Sequence, residues 1–190
     1  VLSERRIYDL TRTGGGQINS VLQLTGDPAG RSRQQLLSIA SDARNAFLSA
    51  PGFLLGHGLI PSGVDIAQLS RPDKPLGIAV KAEHPDLVAV RLDGALVLSP
   101  DLDVFSNGLL AAPGTGAELE TPRTIERTMV IRPPAGYRFE WKPLEHRVDG
   151  PLRLEVTEKR GQGETIIKTR LTFALRSKSR TEMTELRKAL

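Results

Sequence analysis

Hydrophobic and polar positions alternate most strictly in the last third of the chain. Leu152, Leu154 and Val156 fall on one side of an extended segment, and Arg153, Glu155 and Thr157 on the other. A polar stretch containing Gly161 and Gly163 interrupts the pattern. It resumes as Ile167, Thr169, Leu171, Phe173 and Leu175 against Lys168, Arg170 and Thr172. Period two with one apolar side predicts an antiparallel hairpin whose dry face must lie on another layer.

The same reading upstream predicts a short strand over 6–10, a flexible turn at Gly14-Gly15-Gly16 and a second strand over 17–25. Asp27 suits a helix N-cap and Pro28 the first helical position. A helix is predicted from about 28 to 49, with Leu36, Ala40, Ala43 and Phe47 on one stripe, stopped by Pro51-Gly52. Residues 51–76 are rich in Gly and Pro, with short strands or turns near 53–55 and 64–69. Strands are predicted over 77–83 and 87–92, with Asp93-Gly94 turning the chain into a return strand over 95–98. Residues 99–121 read as loop. A strand over 124–132 points Ile125, Met129 and Ile131 inward, and a strand over 137–141 carries Tyr137, Phe139 and Trp141 on one face. A short final helix starts at Ser179, where Ser179 and Glu182 have capping-box spacing. The fold class expected is mainly β: antiparallel sheets in a sandwich-like arrangement, with one longer helix and a short C-terminal one. One domain over 1–190 is expected, with a seam near residue 120 between a strand-helix-strand region and a C-terminal antiparallel unit.

Composition adds limits. A chain of 190 residues can bury roughly two-thirds of its unfolded surface without disulfides or metals. Cysteine is absent, which removes disulfides, thiolate metal sites and cysteine nucleophiles together. No stretch approaches the roughly 20 apolar residues of a membrane span. The chain opens Val1-Leu2-Ser3 with no starting Met and no signal-like segment, so a fragment or mature piece of a longer protein is expected. The net charge of +4 divides into +7 over residues 123–190 and −3 over residues 1–122. An anionic partner is conceivable, although solvated strand faces account for such a bias more often.

Candidate chemistry is sparse. His57, His84 and His146 share no helical ligand spacing, so no metal site is read from them. Ser62 has His57 and Asp65 near in sequence, but no nucleophile elbow surrounds it, and sequence proximity does not build a triad. Gly14-Gly15-Gly16 and Gly114-Thr115-Gly116 lack the residues of phosphate or dinucleotide loops and read as turns. No cofactor is expected. The candidate binding residues are Tyr137, Phe139 and Trp141 with the interleaved cations Arg138 and Lys142. Exposed, they could stack bases or sugars. Aromatics at period two are more often the buried side of a strand, so a core role is favoured and nucleic acid disfavoured.

Several segments together resemble a known family. Gly26-Asp27-Pro28-Ala29-Gly30-Arg31-Ser32-Arg33 opens a helix, Arg132-Pro133-Pro134-Ala135-Gly136-Tyr137 leads to Pro143, and the 152–175 hairpin precedes Thr184-Glu185-Leu186-Arg187-Lys188-Ala189-Leu190. These resemble the C-terminal β-rich region of bacterial transglutaminase-like proteins, those with an N-terminal domain of unknown function before the transglutaminase-like core. Met183 departs from the pattern, where an aromatic is expected. The family's Cys, His and Asp lie in its core domain, and without a Cys none of them carries over to this chain. The resemblance implies a non-catalytic accessory module that docks on other domains of the parent chain or on a protein partner. It also implies a periplasmic or envelope location, although the composition suits the cytoplasm equally. The alternatives are a polyanion, carbohydrate or peptide binder using the basic C-terminal sheet, and an uncharacterised hydrolase.

Overall fold

The computed structural model describes residues 1–48, 60–98, 123–140, 152–161 and 163–173. It is mainly β, as the alternation predicts. The strands are β1 (Leu2–Leu10), β2 (Gly16–Leu24), β3 (Ile60–Ala67), β4 (Leu76–His84), β5 (Val88–Val90), β6 (Ala95–Leu98), β7 (Arg123–Arg132), β8 (Arg138–Glu140), β9 (Leu152–Arg160) and β10 (Thr165–Phe173). A seven-stranded sheet has the order β3-β4-β2-β1-β7-β10-β9, and a three-stranded sheet the order β5-β6-β8. Two pairings run parallel, β1 with β7 and β6 with β8. That departs from the all-antiparallel expectation. Alternation decides which side of a strand is dry but says nothing about the direction of its neighbour. Both sheets take strands from either side of residue 120.

One face of the large sheet is buried and mostly apolar. Leu10, Ile18, Val80, Met129, Ile131 and Ile167 are buried there, at the alternate positions that period two assigns to one side. Leu87, Val88, Leu96 and Phe139 of the small sheet and its approach belong to the same hydrophobic cluster. Each fully buried Leu or Ile contributes roughly 1.5–3 kcal/mol, so this shared cluster joins the two sheets.

The Gly14-Gly15-Gly16 turn is a close-packed joint and not the flexible link expected. The Gly14 carbonyl accepts hydrogen bonds from the N–H groups of Leu87 (2.8 Å) and Val88 (2.9 Å). A Cβ on Gly15 would stand 2.5 Å from the Pro85 carbonyl oxygen, and one on Gly14 2.4 Å from that of Val88. Glycine is required because backbone approaches backbone where the first hairpin meets the small sheet.

The helical region also differs. It forms α1 (Asp27–Ser38) and α2 (Ala43–Leu48) instead of one helix over 28–49. The N-cap is Gly26 at φ 66°, one residue before the expected Asp27, with no side-chain cap. Helix α1 ends at Ile39 in extended conformation. The Arg44 Nε–H donates to the Leu36 carbonyl (2.7 Å) and the Ile39 carbonyl (3.1 Å), which satisfies C-terminal acceptors that a continuing helix would have used. Ala40 and Ala43 are therefore exposed, while Ala29, Arg33, Leu36 and Leu48 are buried. The segment near 53–55, the loop over 99–121 and the helix from Ser179 lie outside the described residues.

Candidate functional site

Of the sequence-selected residues, Arg138 and Phe139 lie on β8, which pairs with β6 in the small sheet, and Tyr137 leads into it. Hairpin β5–β6 turns through Arg91-Leu92-Asp93-Gly94. The Gly94 N–H donates to the Arg91 carbonyl (3.0 Å) and the Arg91 N–H to the Ala95 carbonyl (2.8 Å). Gly94 sits at φ 77°, a conformation that costs glycine nothing and suits a hairpin with an extra turn residue. The Asp93 carboxylate accepts the Ala95 N–H at 3.2 Å. Strand β8 lies alongside, and the Arg138 N–H donates to the Gly94 carbonyl (3.2 Å).

Phe139 is buried in the shared core, Tyr137 is half-buried against it, and Arg138 is exposed. Trp141 and Lys142 lie outside the described residues. Arg138 donates to the carboxylates of Asp93 (2.6 Å) and Glu140 (2.9 Å), and Arg91 reaches Glu140 (3.3 Å) and Asp93 (3.7 Å). The Ala95 backbone N–H, with Arg91 and Arg138, lowers the Asp93 pKa below its ordinary value. Hydrogen bonding to Glu140 and attraction to Asp93 raise that of Arg138. These four exposed groups balance in charge, and pairs of this kind contribute little to stability. Leu92, between Arg91 and Asp93 in the turn, is 110% exposed. The sequence places Leu92 at the end of a strand over 87–92, but β5 stops at Val90 and Leu92 lies in the turn. Only the neighbouring Asp93-Gly94 marks it as a hairpin tip.

A second constellation lies on the inner face of the large sheet. Glu4 on β1 is opposite Arg127 on parallel β7, and Arg6 is opposite Ser20 on β2. The Arg127 Nε–H donates to Glu4 Oε2 at 2.7 Å, the Ser20 hydroxyl donates to Glu4 Oε1 at 3.0 Å, and the Arg6 Nε–H also bonds Glu4. Arg6 is further hydrogen-bonded to Tyr8. Glu4, Arg6, Arg127 and Ser20 are all buried. Burial pushes the Glu4 carboxyl up, but Arg6 and Arg127 with the hydrogen bonds outweigh it and hold the pKa below its ordinary value. Burial lowers the Arg127 pKa. Among the described residues no buried side-chain polar atom lacks a partner. The sequence signal was present: Arg127 falls between the inward Ile125 and Met129, and Glu4 and Arg6 share the parity of Tyr8 and Leu10.

The other candidates carry less chemistry. His84 Nδ1 accepts the Asp86 N–H at 3.0 Å and shapes a local turn. Ser62 donates to the Lys81 carbonyl at 3.2 Å, and His57 and His146 lie outside the described residues. Among the described residues no group of three or more His, Cys, Asp or Glu is placed to hold a metal, and no helix is long and apolar enough to cross a membrane. An open groove of about 620 Å³ lies between α1 and residues 72–75. Arg33 is tied there to the carbonyls of Gln68 and Lys74. No family model, curated protein or solved structure matches the chain.

Proposed function

We propose that this chain is a non-catalytic β-module that docks, through the β5–β6 tip, on another domain of its parent protein or on a protein partner. The observation that carries this reading is Leu92. It is a fully exposed leucine on a turn that Gly94 and Asp93 fix, flanked in the chain by Arg91 and Asp93, which pair with Glu140 and Arg138. An apolar contact inside a polar rim is the usual layout of a protein–protein contact. A pre-shaped turn loses little conformational freedom on binding. A transglutaminase-like parent and an envelope location rest on the short motifs alone. The polyanion alternative is weaker at this corner, because Arg91 and Arg138 already face Asp93 and Glu140. The hydrolase alternative has no assembled nucleophile and base in its support among the described residues.

The test is a photo-reactive amino acid at position 92, used in the cells that make the protein. The expected result is one discrete protein adduct, competed by excess unlabelled chain and not by the Leu92→Asp chain. No adduct, or equal competition by Leu92→Asp, overturns the reading. Retention on heparin that weakens steeply with salt would favour the polyanion alternative instead.

A further inference from the structure

The two edges of the large sheet are not alike. Strand β3 carries Pro61 and a break in register between Pro61 and Gly63. Both features discourage a further strand from adding. Strand β9 carries neither. Its nine residues pair with β10 in unbroken register from Arg160↔Thr165 to Leu152↔Phe173. Among the described residues β10 is its one neighbour. An edge of this kind offers a row of backbone donors and acceptors to another strand.

We infer that β9 pairs antiparallel with β9 of a second copy, about a two-fold axis at Thr157. The charge pattern selects both the occupant and the register. An axis normal to the sheet keeps each residue on its own face, so the axis must pass through a residue position. With the axis at Thr157, Glu155 of each copy lies opposite Lys159 of the other, and Thr157 lies opposite itself. Centring on Glu155 or Glu158 would set glutamate against glutamate. Centring on Val156 would bring the positions of Arg153 and Lys159 together. Opposite charges across neighbouring strands stabilise a pairing and like charges oppose it. The Thr157 register is therefore the one within this strand's centre free of like-charge opposition. The contact is isologous and closes at two copies, and it leaves the β5–β6 tip of each copy uncovered by this pairing.

The absence of cysteine in the chain makes the test clean. In Thr157→Cys the two thiols would meet at the axis within disulfide reach, since directly opposed strand residues have Cα atoms about 4.5–5.5 Å apart. Under mild oxidation Thr157→Cys is expected to give a covalent dimer, while Val21→Cys, on an interior strand with an exposed side chain, gives no covalent dimer. Sedimentation should show a concentration-dependent dimer of the unaltered chain. Glu155→Lys and Lys159→Glu should each be monomeric alone, and a mixture of the two should form the heterodimer, because every opposed pair is then complementary. A monomeric parent chain at all concentrations overturns the inference. So does a Thr157→Cys chain that crosslinks no better than Val21→Cys, or charge variants that dimerise alone as well as when mixed.

Discussion

At the scale of the residue, the most demanding position is Glu4. It is a buried carboxylate between two buried guanidiniums. Removing one member of such a cluster leaves uncompensated charge in the interior, which costs about 3–5 kcal/mol. Glu4→Gln is therefore expected to lose stability on that scale in urea unfolding at neutral pH. The sign of the pH dependence follows from the lowered pKa. The folded state binds the Glu4 proton less readily than the unfolded state, so the stabilisation is present above the ordinary value of 4.5 and fades as pH falls through the folded value. The gap between the parent and Glu4→Gln should narrow on acidification below that point; a gap that stays constant would contradict the assignment. Glycines give a second contrast. A Cβ on Gly15 meets backbone oxygens at 2.5 and 2.8 Å, so Gly15→Ala should cost about 1–3 kcal/mol through overpacking. A Cβ on Gly30 meets nothing within 4 Å, and Gly30 lies inside α1. Gly30→Ala should instead gain about 0.4–1 kcal/mol. Thermal unfolding of the two variants reads the opposite signs.

At the scale of the element, what the sequence revealed depended on how much apolar contrast each segment carries. Strands β9 and β10 and the inward side of β7 were legible, because Leu, Ile, Val and Met alternate with charged residues. The first half of β1 was not. The predicted strand starts at Arg6, because Ser3-Glu4-Arg5 has no apolar contrast and the inward Glu4 belongs to the ion cluster. The helix was over-extended because the stripe through Ala40, Ala43 and Phe47 ignores a competing donor. Arg44 caps α1 from outside it, and nothing in periodicity reports such a bond. Arg44→Ala is expected to cost about 0.5–1.5 kcal/mol, the net value of a hydrogen bond of this kind, with helix content by circular dichroism reduced around 36–44. Unchanged stability would mean that the break has another cause. At the candidate site, the burial of Phe139 was legible from period two. The exposure of Leu92 and the pairing of Arg138 with Asp93 were not, because both depend on how β8 lies against β6.

At the scale of the whole molecule, the residues that hold the fold and the residue proposed to dock are separate. Phe139→Ala should cost about 3–5 kcal/mol, as a buried aromatic does. Leu92→Asp should stay within about 0.5 kcal/mol of the parent, so any loss of association in that variant belongs to the tip. The claim beneath all of this is that the C-terminal strands join the large sheet beside the first strand. Parallel pairing of β1 with β7 sets Glu4 against Arg127 across a separation of 123 residues. A double-mutant cycle on Glu4→Gln and Arg127→Met measures that contact directly. The pairing predicts that the double variant loses less than the sum of the singles, with a coupling of about 0.5–3 kcal/mol. Additive losses would show that the two side chains do not meet, and would contradict the fold on which the site depends.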